Sequence, residues 1–362
     1  MFIKSLTLKN FRNYDIQEFS FINGVNILHG DNGQGKTNVL EALFLASMGK
    51  SFRTSHDTEM IKEDCDALEI LITAEEEENE TEIKLTYNKA RQKAIRLNGI
   101  YLRKMGDLMG ALPCVIFSPS NMMLLSAGPS ERRKFMDMAL CQLKPVYYYN
   151  LQQYNKILMQ KNTFLRDSIA GNVNRDMLDV WNLSLAQYGA EITAQRIQYL
   201  EKVSQYASDY HASISGNSEE IQLHYEASGS ADKEAFYQKL TDISTREIER
   251  HMSLIGPQKD DIDFTLKGAG DMKKYGSQGQ KRTCVLALKL AETSILRDET
   301  GKMPVLLLDD VMSELDSSRQ EMLIRGIGDT QVFITCTESE RLKKDAERPS
   351  KNFLIQKGKV VI

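Results

Sequence analysis

Short apolar runs dominate the two ends of this chain. Residues 25–28 (Val-Asn-Ile-Leu), 305–308 (Val-Leu-Leu-Leu) and 331–334 (Gln-Val-Phe-Ile) have the length and composition of buried strands. Residues 37–44 follow the first run with the apolar spacing of a helix. Both ends are therefore expected to contribute to an α/β domain built on a buried sheet.

Two hairpins are predicted beside these strands. Residues 68–72 and 83–87 alternate apolar and polar positions around an acidic tip at residues 75–80, which is typical of a solvent-exposed hairpin. The last ten residues, 353–362, form two short apolar runs around Lys-Gly and predict a second hairpin.

Between residues 121 and 250 the pattern changes to long helices. Apolar residues recur there at alternating spacings of three and four, as in a coiled-coil seam, with an interruption at Gln195 and Arg196. The seam residues are Tyr147, Leu151, Tyr154, Leu158, Leu178, Trp181, Leu185, Tyr188, Ile192, Tyr199, Val203, Tyr206 and Tyr210. We predict an antiparallel helical hairpin whose second helix, from about residue 175 to 210, extends roughly 50 Å. A helical subdomain packed on the rest of the chain is the alternative.

A phosphate-binding loop follows the first buried strand. Residues 30–37 match G-x-x-x-x-G-K-[ST], in which glycines let backbone N–H groups point at phosphates ahead of a helix N-terminus. Lys36 supplies charge for the outer phosphates, and the Thr37 hydroxyl is placed to ligate Mg²⁺. The residues predicted to bind nucleotide here are Gly30, Asp31, Asn32, Gly33, Gln34, Gly35, Lys36, Thr37 and Asn38.

The apolar strand at residues 305–308 ends in two carboxylates. Asp309 is the natural outer ligand of the Mg²⁺ held by Thr37, and Asp310 follows where a base or water-orienting group is needed. An acid pair after a strand can also be a simple turn, but a phosphate loop requires such a partner. We therefore assign Lys36, Asp309, Asp310 and Ser277 as catalytic, with Thr37 and Asp309 as metal ligands.

Ser277 belongs to a second anion-binding helix start. In residues 277–280 (Ser-Gln-Gly-Gln), a serine and a glycine precede a helical apolar run. Ser277, Gly279 and Gln280 are predicted to contact nucleotide, together with Asp316 of the segment Ser-Glu-Leu-Asp that follows the paired aspartates.

The order of these motifs resembles the ABC-type ATPase heads and, more closely, the RecF family of DNA repair proteins. The matching segments run through the whole chain and are residues 8–14, 33–38, 40–42, 51–53, 97–99, 117–119, 132–133, 256–257, 277–280 and 308–311. Two segments depart from the family pattern: Gln258-Lys259 stands where His-Arg is usual, and Lys281 replaces a second glutamine.

This resemblance implies an ATPase head formed by both chain ends with an inserted arm. We divide the chain into residues 1–120 (N-terminal part of the head), 121–250 (helical arm) and 251–362 (C-terminal part of the head). Two heads would sandwich ATP and Mg²⁺, with Ser277 and Gly279 acting on the nucleotide of the other protomer. The homodimer would form with ATP.

The resemblance also implies a biological role. It indicates binding of single-stranded and double-stranded DNA at gaps or junctions, RecR-type and RecO-type helpers, loading of the recombinase RecA, and a part in DNA replication, repair and the SOS response to damage. An SMC-like tethering ATPase and a transporter-type subunit are the alternatives. The first would have a much longer arm, and the second would place its phosphate loop and signature closer together.

Slow ATP hydrolysis is expected. Asp310 stands where transporter-type heads usually carry glutamate, and misplacement of a base by about 1 Å can cost about a hundredfold in rate. A switch histidine is replaced by Thr335 or Thr337, neither of which can act as a base near neutral pH. Whether Arg12 contacts nucleotide or DNA stays open.

Composition limits the remaining possibilities. With 46 Lys and Arg against 50 Asp and Glu, the formal charge of the 362 residues is −4, so DNA contact needs local basic patches. The candidates are Arg53, Arg132, Arg133, Lys134, Lys273, Lys274, Lys281 and Arg282. Five scattered cysteines without metal spacing, no signal peptide and no apolar run of membrane-spanning length predict a cytoplasmic protein without a membrane partner.

Overall fold

The structure, a computed structural model, describes residues 1–77, 79–167, 174–216, 219–268, 270–337 and 348–361. The strands are β1 (Phe2–Phe11), β2 (Tyr14–Ser20), β3 (Val25–His29), β4 (Ala67–Glu76), β5 (Asn79–Asn88), β6 (Lys93–Leu97), β7 (Ile100–Tyr101), β8 (Cys114–Phe117), β9 (Ile221–Glu226), β10 (Asp261–Leu266), β11 (Gly270–Asp271), β12 (Val305–Leu308), β13 (Val332–Cys336), β14 (Ser350–Gln356) and β15 (Lys359–Val361). The helices are α1 (Lys36–Met48), α2 (Pro119–Met122), α3 (Pro129–Leu143), α4 (Pro145–Asp167), α5 (Arg175–Ser215), α6 (Lys233–Asp242), α7 (Ser244–Arg250), α8 (Met272–Tyr275), α9 (Gln278–Thr300) and α10 (Ser317–Ile327).

A six-stranded sheet joins the two ends of the chain. Its order is β15-β14-β3-β13-β12-β8, and every neighbouring pair is parallel except β14 with β15. Strand β3 lies between β13 and β14, so the first buried strand of the chain pairs only with strands made near its end. The fully apolar sequences of β8 and β12 suit this position, because both faces of a parallel sheet are covered.

A second, antiparallel sheet lies on the other side of α1. Its order is β2-β1-β4-β5-β6-β7, and β4 and β5 form the predicted hairpin around the acidic tip. Helix α1 packs against β4 and β5 of this sheet and against β8 and β13 of the first one. Residues 39–48 of α1 are all buried, which explains why this helix is apolar around its whole circumference.

Helices α4 and α5 form an antiparallel pair, as the seam predicted. Phe164 stacks at a tilt against Trp181, and Lys161 donates to Asn182, whereas the opposite end of α4 reaches Arg196 through Tyr147. Helix α5 is longer than expected, with 41 residues and a length of about 60 Å. The part of α5 beyond Arg196 also packs along α9, where Tyr206 donates to Asp298 and Tyr210 contacts Ser294.

The interruption of the seam marks a junction between the helical pair and its surroundings. Arg196 is 2% exposed and donates to Asp137 of α3, to the Tyr147 hydroxyl and, at 2.7 Å, to the Pro257 carbonyl oxygen. A charged residue is tolerated at this seam position because Asp137 neutralises it and its donors are satisfied.

The expectation of a purely helical segment between residues 121 and 250 needs one correction. Strand β9 lies within it and pairs antiparallel with β10, which in turn pairs with β11. A boundary at residue 250 would divide this three-stranded sheet. The three-part division of the chain remains our proposal, and β9 is then the strand through which the middle part pairs with β10 of the C-terminal part. Among the described residues, no helix combines the length and apolar character that crossing a membrane requires.

Candidate nucleotide site

Parallel strands bring the motifs of the two chain ends to one edge of the first sheet. The phosphate loop follows β3, Asp309 follows β12, and β13 lies between these two strands. The carboxyl ends of neighbouring parallel strands meet at the same edge, where open α/β sheets bind their ligands. Residues from positions 30 and 309 are therefore neighbours in space.

The glycines of the phosphate loop adopt backbone conformations that other residues avoid. Gly30, Gly33 and Gly35 have φ of 136°, 77° and 117°. A Cβ on Gly30 would lie 2.5 Å from the Ile355 carbonyl oxygen, whereas a Cβ on Gly33 would enter open space. The glycine at position 33 thus borders open space, from which a ligand can approach the backbone.

Lys36 and Thr37 begin α1 directly after this loop. The Lys36 ammonium is buried and donates to the carbonyl oxygens of Gly30 and Asp31, at 2.6 and 3.0 Å. The Thr37 hydroxyl donates to Asp309 Oδ1 at 2.8 Å. The predicted metal ligands are therefore in direct contact.

Asp309 is held as part of a three-residue cluster. Its Oδ1 accepts hydrogen bonds from Thr37 and from Thr335 of β13, the latter at 2.9 Å. Burial raises the pKa of this carboxyl group, and the two hydroxyl donors oppose the shift because they favour the ionised form. The ionised carboxylate is thus incompletely compensated in the protein alone, and a cation beside it would stabilise it.

Asp310 has an unusual backbone conformation at the end of the same strand. Its φ is 52°, which aspartate tolerates better than most residues, and its N–H donates to the Thr335 hydroxyl oxygen at 2.8 Å. The side chain is only partly buried. Of the two threonines considered for the switch position, Thr335 is buried in this cluster, and Thr337 is exposed.

The final hairpin of the chain fastens the phosphate loop. The Gln34 carbonyl oxygen accepts from the Gly358 N–H at 3.0 Å and from the Asn13 side chain at 2.8 Å. The Gln34 side chain accepts from the Lys357 N–H at 2.6 Å. The sequence did not predict this contact, because the local pattern of β14 and β15 shows where the turn falls in the chain and not which segment it touches.

A buried glutamate, one turn further along α1 than Thr37, binds two arginines and a serine. Glu41 is 0% exposed and binds the Arg12 guanidinium through both carboxylate oxygens, at 2.7 and 2.9 Å. Ser51 donates to the same carboxylate, and Arg53 reaches it at 3.3 Å while also donating to Asn38. Arg12 and Arg53 therefore use guanidinium N–H groups for contacts within the protein. These contacts connect the loop at residues 51–53 to the helix that follows the phosphate loop.

The second helix start has the geometry of an N-terminal cap. Ser277 precedes α9, its Oγ accepts from the Gln280 N–H at 3.2 Å, and its own N–H donates to Gln280 Oε1 at 2.7 Å. Ser277 and Gln278 are exposed. This reciprocal capping box leaves the remaining N–H groups of the first turn available to an anion.

Asp316 lies next to this cap rather than next to the phosphate loop. It caps α10 by accepting from the Arg319 N–H at 3.0 Å, and its carboxylate also pairs with the Arg319 side chain. Arg319 donates in addition to the Gly279 carbonyl oxygen at 3.2 Å and to the Thr283 hydroxyl at 2.8 Å. Helix α10 is thereby fixed to the start of α9.

The structure thus forms two separate groups from the predicted site residues. Residues 30–38 with Asp309 and Asp310 make one, and Ser277, Gly279 and Gln280 with Asp316 make the other. Within the described parts of the chain, no hydrogen bond or ion pair joins residues 277–280 to residues 30–38. The assignment of these residues to nucleotide remains a prediction.

One candidate for DNA contact proves to be a structural residue. Arg132 is 4% exposed, binds Asp261 with two nitrogens at 2.5 and 3.0 Å, and donates to the carbonyl oxygens of Leu124 and Ala127. It is not free to bind phosphate, so its choice as a DNA contact was wrong. Its neighbour Arg133 is partly buried and donates to the Asp260 carbonyl oxygen.

The other basic candidates differ in how far they are free. Lys273 pairs with Asp261 and Asp263, and Arg282 pairs with Glu314. Lys134 and Lys274 are the most exposed, each with a single long contact to a carboxylate of its own helix or cap. These two lysines are the best remaining candidates for contact with a phosphate backbone.

The residues present fit a magnesium nucleotide. Gly33 borders open space, Lys36 carries a buried ammonium, and Thr37 with Asp309 offers a hydroxyl and an acidic oxygen side by side. A magnesium ion in such sites is held by few protein groups, because phosphate oxygens and water supply the other ligands. The searched part of the chain contains no group of three or more acidic, histidine or cysteine side chains that would form a metal site of another kind.

Sheet order, phosphate loop, acidic strand end and helix cap define a P-loop ATPase head of the type found in SMC proteins. The Smc head solved in complex with the C-terminal winged-helix domain of ScpA shares this fold, with a TM-score of 0.60 at 16% identity over 100% of this chain and 97% of that one. The predicted α/β head with an inserted helical arm is confirmed at this level.

Closer relatives define the family. The family model described as "RecF/RecN/SMC N terminal domain" matches residues 2–360. The DNA replication and repair protein RecF of Acetivibrio thermocellus is 42% identical over 348 residues, or 94% of each chain, and that of Agathobacter rectalis is 40% identical over 362 residues, or 100% of this chain and 99% of its own. The structure of "the recombination mediator protein RecF-ATPrS in RecFOR pathway" matches with a TM-score of 0.91 at 36% identity, over 99% of this chain and 97% of that one. The chain belongs to the RecF family of DNA replication and repair proteins.

Proposed function

We propose that this chain is an ATP-switched DNA-binding protein of recombinational repair and replication. ATP closes two heads into a dimer, the dimer engages gapped or junction DNA, and hydrolysis opens it. One observation carries the proposal: Ser277 presents an exposed anion-binding helix start that has no contact with the phosphate loop of its own chain in the described residues. Its ligand is then the nucleotide held by a second copy.

The phosphate loop and β12 divide the work at the nucleotide. When bound, Mg²⁺ and ATP supply the phosphoanhydride bond and the charge that joins the two protomers. Lys36 would hold the outer phosphates, and Thr37 and Asp309 would hold the metal. Asp310 orients the attacking water, and Ser277 with Gly279 of the second copy completes the binding of the outer phosphate.

Turnover by this arrangement is slow. Asp310 is a short side chain on a backbone fixed by the bond between its N–H and Thr335. Thr335 itself donates to Asp309 and cannot take a proton from water near neutral pH. The described part of the site therefore offers no strong base, and ATP hydrolysis limits how long the dimer lasts rather than driving continuous motion.

The DNA-directed role comes from relatives. A solved relative at 36% identity is described as a recombination mediator in the RecFOR pathway, and we extend that role to this chain. The partners proposed are single-stranded and double-stranded DNA at gaps and junctions, RecR-type and RecO-type helpers, and the RecA filament whose loading they assist. The five cysteines are all free, as expected for a protein that acts in the reducing cytoplasm.

A tethering ATPase is the second candidate function. The Smc heads share the fold, so DNA tethering without preference for junctions would be possible for the same machinery. The helical pair α4–α5 speaks against it, because α4 has 23 residues, or a length of about 35 Å, which is far shorter than the long arm expected of a tethering protein.

Sedimentation tests the proposal directly. The mass of the protein is measured with ATP, with ADP and without nucleotide, each with and without gapped duplex. The Lys36→Met variant removes the phosphate charge, and the matched Lys50→Met variant removes an exposed lysine just beyond α1. We expect ATP to double the mass of wild type and of Lys50→Met, and to leave Lys36→Met monomeric.

The contrary result is clear as well. A chain that remains monomeric with ATP and DNA at concentrations that saturate nucleotide binding would remove the trans role of Ser277 and Gly279. Equal binding to gapped and continuous duplex by an ATP dimer would favour the tethering function.

A further inference from the structure

A residue outside the recognised motifs holds the cap of α9. The Ser277 N–H donates to Gln280 Oε1 at 2.7 Å, and Gln280 Nε2 donates to Glu219 Oε1 at 2.7 Å. Glu219 lies between the end of α5 and the start of β9, 61 positions before Gln280. A chain of hydrogen bonds therefore runs from the end of the long helix to the exposed serine.

The order of donors and acceptors makes Glu219 more than a neighbour. A glutamine side chain has one accepting and one donating end, whereas a carboxylate only accepts. Glu219 therefore selects the orientation in which the Gln280 NH₂ group faces it, and Gln280 Oε1 must then face the Ser277 N–H. In the opposite orientation two donors would meet at Ser277, and the half of the capping box that the Gln280 side chain makes would be lost.

Glu219 also approaches the C-terminal part of α5. Its Oε2 lies 3.8 Å from His211 Nε2, and His211 is completely buried in that helix. Burial lowers the pKa of His211, so the imidazole is neutral near pH 7 and the contact is not an ion pair. The Glu219 carboxylate thus lies beside α5 while it accepts from Gln280.

A second support reaches the cap from the other side. Arg319 of α10 donates to the Gly279 carbonyl oxygen at 3.2 Å and to Thr283 at 2.8 Å. The two halves of the motif consequently have different supports. Arg319 fixes the backbone of Gly279, and Glu219 fixes the side chain that holds Ser277.

We propose that Glu219 is a positioning residue for the signature motif, which fixes the Gln280 amide and thereby the Ser277 cap that binds the nucleotide of a second copy. This inference deepens the proposed function and rests on it. A displacement of the C-terminal part of α5 moves Glu219, releases the Gln280 amide and weakens the dimer. The helical arm is thereby connected to the ATP switch without any contact with the nucleotide.

The test compares three variants of the full-length chain. Glu219→Lys replaces the acceptor by a donor and favours the wrong amide orientation, and Glu219→Gln keeps an acceptor. Glu220→Lys is the matched control, because that neighbouring carboxylate binds Lys267 at 2.7 Å and has no contact with the cap. Each variant is measured for binding of a fluorescent ATP analogue at monomer concentrations and for ATP-dependent dimerisation by sedimentation.

The proposal predicts a separation of the two readouts. Glu219→Lys binds the analogue as wild type does, and its ATP-dependent dimerisation weakens by about tenfold or more, the usual effect of losing a charge-assisted hydrogen bond. Glu219→Gln recovers most of this loss, and Glu220→Lys equals wild type. Charge alone predicts the opposite sign, because a lysine beside a polyphosphate would strengthen the dimer.

A double-mutant cycle with Gln280→Ala separates positioning from a general loss of structure. Glu219→Ala should add nothing once Gln280 is absent, whereas independent effects would add and would overturn the proposal. Wild-type dimerisation by Glu219→Lys would also overturn it while leaving the proposed function intact. A wild-type chain that does not dimerise with ATP would remove the proposed function and this inference together.

Discussion

Thr37 and Asp309 lie 272 positions apart in the chain, and the threonine hydroxyl donates to the aspartate Oδ1 at 2.8 Å. Thr37 lies in the first turn of α1, and Asp309 directly follows β12. Strand β13, which lies between β3 and β12 in the sheet, supplies the Thr335 hydroxyl to the same oxygen. This contact turns two distant motifs into one candidate metal site. Among the described residues, it also leaves a buried carboxylate with two hydroxyl donors and no cationic partner in its hydrogen bonds.

Replacing Asp309 by Asn should stabilise the protein in the absence of nucleotide. Burial raises the pKa of Asp309, so the ionised form present near neutral pH costs folding free energy. The stability contributed by this group is complete below its unfolded pKa and is lost as the pH rises through the folded pKa. We therefore expect a higher melting temperature for Asp309→Asn at pH 7, with a difference that shrinks on acidification to about pH 4.

The same variant should be stabilised less by the magnesium nucleotide than wild type is. Without a carboxylate beside Thr37, affinity for the magnesium nucleotide should fall about 10- to 100-fold. Differential scanning fluorimetry with and without Mg·ATP measures both effects. An Asp309→Asn variant that melts below wild type at pH 7 would contradict the pKa argument.

Asp310→Asn should separate hydrolysis from binding. Asparagine tolerates the φ of 52° at this position, so the backbone bond to Thr335 is kept and the base is removed. We expect hydrolysis to slow by about a hundredfold or more, with nucleotide affinity and dimerisation unchanged. Single-turnover phosphate release is the measurement. Unchanged turnover would transfer the water-orienting role to another group.

Two glycines with similar backbone angles allow a controlled test of the final hairpin. Gly358 and Gly99 have φ of 71° and 78°, but a Cβ on Gly358 would overlap the Asn13 carbonyl oxygen, whereas one on Gly99 meets nothing within 4 Å. Gly99→Ala should cost only the strain of the left-handed conformation, about 1 kcal/mol. Gly358→Ala should cost more and should also weaken nucleotide binding, because it displaces the turn that holds Gln34.

Urea unfolding and titration with a fluorescent nucleotide together decide this prediction. A Gly358→Ala variant that unfolds like Gly99→Ala would show that the turn adapts easily. A variant that is destabilised but binds nucleotide normally would show that the hairpin supports the fold and not the phosphate loop.

Arg132→Met should reduce stability rather than DNA affinity. The guanidinium is buried against Asp261, and removal of one member of such a pair typically costs about 3 to 5 kcal/mol. Burial opposes ionisation of Asp261, but hydrogen bonds from Arg132 and from the Ile262 N–H outweigh it and lower its pKa. The stability from Asp261 is therefore present above its unfolded pKa and is lost as the pH falls through the folded value.

Urea unfolding at pH 7 and at about pH 3, which is below the unfolded pKa of aspartate, measures this dependence. The loss of stability in Arg132→Met should be smaller at the lower pH, and DNA binding per folded molecule should equal that of wild type. The exposed Lys274→Met is the control for surface charge, with an expected change in stability below about 1 kcal/mol. Weaker DNA binding by fully folded Arg132→Met would restore it as a DNA contact.

Motifs with a strict chemical requirement could be recognised from sequence. Glycines in residues 30–35 adopt the positive φ values that the pattern requires, and the apolar run before Asp309 becomes a central strand, because both features follow from local chemistry. The antiparallel pairing of α4 and α5 followed from the periodic seam. The packing of the C-terminal part of α5 along α9 did not, because periodicity shows which face is buried and not what covers it.

The roles of polar residues whose partners lie far away in the chain could not be predicted. Arg132 looked like part of a basic surface in Arg-Arg-Lys, and its partner Asp261 lies 129 positions away. The sequence assigns no role to Glu41 or Glu219, since a single glutamate in a helix or beside a turn has no local signature. The visible signal was the position of Glu41 within an otherwise apolar helix, where an unpaired charge would be too costly to bury.

The pairing of β3 with β13 and β14 also sets a time at which the protein can first work. Val25 lies opposite Val332 and Ser350, so the strand that leads into the phosphate loop leaves the ribosome roughly 300 residues before its neighbours in the sheet. At 5 to 20 residues per second, that interval is about 15 to 60 s. During synthesis the phosphate loop therefore has no completed sheet beneath it. A chain released before its last strands are made cannot form the candidate nucleotide site.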